Sequence, residues 1–271
     1  EAVSAFGPDS VIYATKAFLC SAMARLAHEE GLLLDVATGG ELFVALHAGV
    51  PAERCVMHGN NKSVAELREA ITAGVRHIVV DSFDELDRID ALHRNGLPAP
   101  RVQLRITPGV YVHTHEYVST GQNDSKFGFN LANGDAQRAV ARARASTSLQ
   151  LVGLHCHIGS NVFETENFTK AAEVMVRFAN ECGLPELTLG GGLGVAYLNG
   201  ETAPTITEWA TALRAATKHL QGGVKVMVEP GRSIVASAAL TLYEVGTVKS
   251  IPGVRTYVAV DGGMSDNPRP V

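Results

Sequence analysis

SVIYATKAFLCSAMARLAHEEGLLLDVAT, residues 10–38, decides the fold. Its first seven residues form a β-rich run that ends on Lys16. FLCSAMARLAHEEG (18–31) then has helical character and stops at Gly31, a residue suited to closing a helix. LLLDVAT (32–38) is apolar and strand-like again. A strand, a helix and a strand in so few residues pair the two strands in parallel, with the helix crossing over one face.

The same unit recurs downstream. GELFVALHAGV (40–50) reads as a helix and CVMHG (55–59) as a strand. Ser63 with Glu66 three residues later is a capping box. It opens a helix on which Val64, Leu67 and Ile71 share a face and which Gly74 ends. HIVVDS, RVQLRITPG, LVGLHCHIG, ELTLGGG and KVMVEPG each precede a helical run, the last being the short RSIVASA (232–238). Eight strand–helix units predict a (β/α)8 TIM barrel over residues 1–240, with a doubly wound open sheet as the alternative. TLYEVGTVKSI (241–251) and RTYVAVDGGM (255–264) are strand-like with no helix between them. Residues 241–271 therefore read as the opening strands of a β-rich C-terminal domain, cut off at Val271.

Composition narrows the function. The 271 residues carry a net charge of −5 with no basic run, which offers nothing to nucleic acid or an anionic membrane. No apolar run reaches the length of a membrane span, and EAVSAFGPDS lacks the pattern of a secretory signal. Cys20, Cys55, Cys156 and Cys182 are scattered without a CxxC pair, so a cytoplasmic-type, reducing location is expected.

A barrel places its chemistry at the C-terminal ends of its strands, on the inward face. Lys16, Asp35, Arg105, His157 and Glu229 all take such positions, Arg105 behind Gln103 and His157 behind Gly153 and His155. Buried charges are costly unless they have a task or a partner, so five together predict a pocket. Lys16 suits a Schiff-base lysine, as in an aldolase or a pyridoxal phosphate enzyme. Gly190, Gly191 and Gly192 end the seventh strand, and Gly231 with Arg232 ends the eighth, where barrels hold phosphate. Ser160 adds a hydroxyl. Glu229 would then face a pyridine nitrogen and keep it protonated, with His157 stacked on the ring. His113/His115 and His155/His157 are HxH pairs that can bind metal, but no carboxylate accompanies them at ligand spacing, so no metal is expected.

These motifs in this order resemble the fold-type III pyridoxal phosphate-dependent decarboxylases of diaminopimelate, ornithine and arginine. YATKAFLCSAMARLAHEEG (13–31) is similar to their lysine signature, ELTLGGG to their second signature, and HCHIGS and EPGR to their ring-stacking and phosphate segments. HGNNKS (58–63), residues 113–129 and DGGMSDNPRP (261–270) most resemble the diaminopimelate branch. The resemblance implies an alanine racemase-like barrel holding pyridoxal 5'-phosphate, with Lys16 as its covalent anchor, His157 on its ring and Glu229 on its nitrogen. It implies Ser160, Gly191, Gly192, Gly231 and Arg232 around the phosphate, and Asp35 and Arg105 near the anchored carbon. Arg232 and Arg269 would contact substrate carboxylates. The implied reaction is decarboxylation of meso-2,6-diaminopimelate to L-lysine and carbon dioxide in lysine biosynthesis, by a homodimer with shared active sites. An ornithine- or arginine-type decarboxylase and an inert cofactor-binding protein are the alternatives, with a metal-dependent barrel hydrolase behind them. Asn161 stands where the family carries Gln. The family's Cys-Glu and Tyr elements have no counterpart before Val271, so the resemblance implies a nearly complete cofactor site and an incomplete substrate site.

Overall fold

Short apolar strands buried on both faces need helices on one side and side-chain packing on the other, and a closed barrel supplies both. In the computed structural model, which describes residues 1–110, 121–122, 124–264 and 266, the strands are β1 (Ile12–Ala14), β2 (Leu33–Val36), β3 (Cys55–Met57), β4 (His77–Val80), β5 (Arg101–Thr107), β6 (Phe129–Asn130), β7 (Gln150–His155), β8 (Glu186–Thr188) and β9 (Lys225–Met227). They pair in parallel in the order β1-β2-β3-β4-β5-β7-β8-β9, while β6 adds only to the end of β5. Closure comes from a parallel bridge between Val11 and Val228, where Ile12 N donates to Val228 O at 2.9 Å and Val228 N donates to Ser10 O at 2.9 Å. The expected (β/α)8 barrel is therefore present.

The crossover helices are α2 (Ser21–Glu29), α3 (Gly39–His47), α4 (Val64–Ala73), α5 (Phe83–Arg94), α6 (Asp135–Ala145), α7 (Thr165–Cys182), α8 (Ile206–Thr217) and the short α9 (Arg232–Val235), preceded by α1 (Ala2–Phe6). Several start on side-chain caps. Ser63 and Thr205 each form a full capping box, with Glu66 and Glu208, and Thr38 and Ser82 accept from the third residue of their helices. Leu67 and Ile71 of α4 are buried, but Val64 is exposed because it stands on the first turn, beyond the packed stripe. Trp209 of α8 lies edge-on to Phe6 and Phe168, at 5.6 and 5.7 Å between centroids, so three helices meet on one indole.

Alternation along the strands separates two cores. Outward residues such as Tyr13, Leu34, Ile78, Leu104, Leu154 and Leu187 pack under the helices. Inward residues Ile12, Leu33, Val56, Val79 and Met227 form a separate apolar layer within the barrel. Beneath this layer lies a polar plug. Glu186 accepts from Arg101 Nη2 at 3.1 Å and from Gln103 Nε2 at 3.0 Å, and Gln103 Oε1 accepts from Thr188 Oγ1 at 2.8 Å. Gly153 makes room for it, since a Cβ there would fall inside 3.0 Å of the Glu186 backbone and side chain. Above the apolar layer the next inward positions are Ala14 on β1 and the polar Asp35, His58, Asp81 and Glu229.

The chain divides into two units, residues 1–236 and 237–271. The second is an antiparallel hairpin of β10 (Val245–Ile251) and β11 (Arg255–Val260), with Lys249 opposite Tyr257 and Gly253 at φ 75° in the turn. Among its side chains Val248, Tyr257 and Val258 are exposed. No helix among the described residues is long and apolar enough to cross a membrane.

Candidate active site

Lys16 is not the last residue of a strand. β1 ends at Ala14, and Thr15–Ala17 form a single 3-10 turn that carries Lys16 at the exposed mouth of the barrel. Two buried hydroxyls impose the turn. Tyr13 Oη donates to Phe18 O at 2.6 Å, and Thr15 Oγ1 donates to Asp35 O at 2.6 Å. The following helix accordingly starts at Ser21, three residues later than its composition suggests. β7 and β9 are also shorter than their apolar runs. They end at His155 and Met227, so His157, Ser160 and Glu229 stand on the loops just beyond.

Below Lys16 the barrel mouth is ringed by ionisable groups. Asp35, His58, His155 and Glu229 are all buried. His155 Nε2 donates to Glu229 Oε2 at 2.9 Å, while His58 Nε2 lies 3.0 Å from Glu229 Oε1 and 3.8 Å from Asp35 Oδ1. The two imidazoles meet edge to face, 5.1 Å apart. Burial drives His155 down to about 4 against the pull of Glu229, so its ring is neutral and its Nε2–H is a donor. Burial also lowers His58, but Asp35 and Glu229 outweigh it and hold His58 above the usual histidine value. Burial raises Asp35, with His58 and Lys16 opposing and Glu229 reinforcing. For Glu229, burial is overcome by the two imidazoles, and its carboxyl is held well below the usual range.

Arg105 completes the ring. Its Nη1 is 3.5 Å from Asp81 Oδ1, and its guanidinium lies 4.3 Å from the centroid of Phe127. Asp81 is fixed in turn by Gly128 N at 2.9 Å. His157 is half-buried beside the glycine triplet, with Gly191 N donating to its Nδ1 at 3.4 Å. Burial, then Lys16 and Arg105, push His157 well below the usual value, so it is neutral. The triplet has to be glycine. A Cβ at Gly191 would land on the Glu229 carbonyl oxygen, and one at Gly192, where φ is 104°, on that of Gly159. Gly231 is closed off by Ala14 in the same way. Ser160 is half-buried on the neighbouring loop. Arg232 Nη1 donates to Tyr197 Oη at 2.6 Å. Arg269 and the pair His113/His115 lie outside the described residues.

The structure thus places Asp35, Arg105, His157 and Glu229 around one mouth, where the charge of Lys16 acts on both Asp35 and His157. His58 and Asp81 are new. Each stands two positions beyond a residue of the inward apolar layer, the same signal that marks Asp35 and Glu229. The carboxylate missing from the sequence neighbourhood of His155 is supplied through space, by Glu229. His58, His155 and Glu229 bring donor atoms within 4.8 Å of one another. A metal needs neutral imidazoles, however, whereas Asp35 and Glu229 hold His58 above the usual histidine value, and Glu229 Oε2 is already hydrogen-bonded.

Two features suit a phosphorylated pyridine. Glu229 Oε1 is a buried carboxylate oxygen with no aligned hydrogen bond, which a ring N–H can fill. The glycine walls expose backbone at a loop where a phosphate can come close.

A closed parallel barrel with a lysine and a buried, ionised carboxylate at its C-terminal mouth defines a class of barrel proteins equipped for cofactor chemistry. Comparison with known proteins narrows it: residues 1–236 match the pyridoxal binding domain of the pyridoxal-dependent decarboxylases, and the chain belongs to that family. It is 48% identical over 289 residues to the diaminopimelate decarboxylase of Mycobacterium tuberculosis H37Rv, covering 99% of this chain and 65% of that protein. It is 47% identical over 271 residues to the Bacillus subtilis enzyme of the same name, covering 96% and 62%. The Helicobacter pylori diaminopimelate decarboxylase complexed with L-lysine superimposes with a TM-score of 0.89 at 30% identity, covering 98% of this chain and 67% of that one. The chain therefore spans somewhat under two thirds of the length of these curated relatives.

Proposed function

We propose that the protein binds pyridoxal 5'-phosphate at the barrel mouth and decarboxylates meso-2,6-diaminopimelate to L-lysine. Glu229 carries the cofactor part of this reading. It is a buried carboxylate kept ionised by its neighbours, with one oxygen fixed by His155 and the other unaligned. The diaminopimelate decarboxylases among its relatives support the choice of substrate.

When bound, pyridoxal phosphate supplies an electron-accepting ring for the electron pair left by a departing carboxylate. The chain's own residues do the rest. Lys16 presents its amine on a turn pinned from both sides by Tyr13 and Thr15. Glu229 would hold a proton on the ring nitrogen, because a buried anion beside it favours the charged partner. His157, neutral and braced by Gly191 N, offers a flat face without adding a competing positive charge. Gly191, Gly192, Gly231 and Ser160 would hold the phosphate, on loops whose glycines leave backbone exposed. Arg105, held by Asp81 and Phe127, and Asp35 set the polarity around the Lys16 amine. Arg232 and Arg269 are assigned to substrate carboxylates, which arginine can bind bidentately.

The unit that carries the β10–β11 hairpin is read as the opening of a C-terminal β domain, in keeping with the exposed Val248, Tyr257 and Val258. A homodimer with shared sites and a cytoplasmic location complete the proposal, supported by the family resemblance and by the scattered, unpaired cysteines.

The test is carbon dioxide release from carboxyl-labelled meso-diaminopimelate, ornithine and arginine by the full-length protein loaded with cofactor. Turnover of diaminopimelate at least a hundredfold above the other two is expected. Preference for ornithine or arginine, or no release from any of them, would overturn the assignment.

A further inference from the structure

Glu229 and Asp35 are two buried carboxylates that approach the same imidazole nitrogen, His58 Nε2, at 3.0 and 3.8 Å. Two anions sharing a buried site repel unless a cation lies between them. The charged groups facing His58 are Asp35 from the end of β2, Glu229 beyond β9 and Arg105 from β5. Neutral His155 faces it from β7, and His77 of β4 titrates under its influence. Arg105 is already directed to Asp81. His58 is thus the titratable group placed between the two acids, and both favour its charged form. Its position is nonetheless not a settled hydrogen bond. Neither His58 Nε2 nor Glu229 Oε1 has an aligned partner, whereas Glu229 Oε2 is firmly held by His155. The site has one anchored oxygen and one oxygen kept available.

We propose that His58 is a positioning residue that stands in for the cofactor's ring nitrogen, holding Glu229 Oε1 until the ring docks and then releasing its proton to solvent. The proposal rests on the pyridoxal phosphate reading. Once a protonated ring nitrogen lies on Oε1, a second cation 3.0 Å from the same oxygen is repelled, and the net charge of the cluster is conserved if His58 discharges. A neutral His58 can still accept or donate toward Asp35, so it stays in place as an uncharged wall of the pocket.

Binding of pyridoxal phosphate to the full-length protein, followed by titration calorimetry in two buffers of different ionisation enthalpy, measures the protons released. Wild type is expected to release about one proton more than His58→Gln near neutral pH, and its affinity should climb more steeply with pH by up to tenfold per unit. Asp35→Asn removes one of the anions that keep His58 charged, so it should also lower the proton count. It serves as the second probe if His58→Gln does not fold. Equal proton counts in wild type and either folded variant would overturn the role of His58. If wild type binds no cofactor at Lys16, the underlying reading fails instead, and borohydride labelling of Lys16 distinguishes the two cases.

Discussion

Glu229 Oε2 accepts a hydrogen bond from His155 Nε2 at 2.9 Å, although 74 residues separate the two along the chain. The contact joins the end of β7 to the loop after β9 across the barrel mouth. It fixes the tautomer of a neutral imidazole and the direction of a carboxylate together, and it makes the folded protein sensitive to acid.

His155 titrates near 4 in the folded protein and near 6.5 when unfolded, so between those values the unfolded chain binds the extra proton. Its contribution is present above pH 6.5 and is lost as pH falls toward 4, amounting to about 3 kcal/mol over the window. His155→Gln, which keeps a donor near Glu229 but cannot titrate, should flatten the fall in stability between pH 6.5 and 4. Urea unfolding midpoints at pH 4.5, 5.5 and 7.5 check this. A slope identical to wild type would show that His155 is not held neutral.

Lys62 offers a test of stability alone. Its Nζ is 2.7 Å from Glu85 Oε1 and donates to Gly59 O at 2.6 Å and Val79 O at 2.7 Å, with both side chains buried. Lys62→Met leaves the Glu85 charge buried without its partner and should cost about 3–5 kcal/mol. Adding Glu85→Leu should recover a large part of the loss, which denaturant melts of the single and double variants will measure. A loss below 1 kcal/mol in Lys62→Met would mean that the pair is solvated.

Gly191→Ala drives a methyl group into the Glu229 carbonyl oxygen. The loop or Glu229 must shift, at about 1–3 kcal/mol of stability, and a displaced Glu229 should weaken cofactor binding by at least tenfold. Gly263→Ala, which has open space around it, should change neither. Fluorescence titration with pyridoxal phosphate and thermal melts separate the two variants. Wild-type affinity in Gly191→Ala would remove the triplet from the site.

Much of this was legible in the sequence because both signals are local. Alternating apolar runs and helices dictate parallel pairing, and a polar residue at the inward end of a strand identifies the mouth, which is how Asp35, Arg105 and Glu229 stand out. His58 and Asp81 obey the same rule behind CVM and HIVV, but single polar residues at the tips of such short strands carry little weight alone. The turn under Lys16 was not legible, because YATK has strand composition and the strand is ended early by the bonds from Tyr13 to Phe18 O and from Thr15 to the distant Asp35 O. Nor were the Glu186–Gln103 contact inside the barrel and the Lys62–Glu85 pair, whose partners are 83 and 23 residues apart and meet only once the strands between them pair. Gly153 shows the limit from the other side, since its need for glycine is set by the Glu186 backbone on the next strand.

In the proposed function, pyridoxal phosphate is anchored on Lys16 at the mouth of this barrel. Lys62 has its amine committed to Glu85 and two carbonyls, Lys126 lies 5.2 Å from the centroid of Phe127, and among the described residues no side chain pairs with Lys16 Nζ. Borohydride reduction of the cofactor-loaded full-length protein, followed by proteolysis and mass mapping, tests the claim directly. The phosphopyridoxyl group is expected on the peptide that contains Lys16, and Lys16→Ala should abolish the visible absorbance of the loaded protein. A stable label on Lys62, Lys126 or any other lysine, or full absorbance in Lys16→Ala, would contradict it.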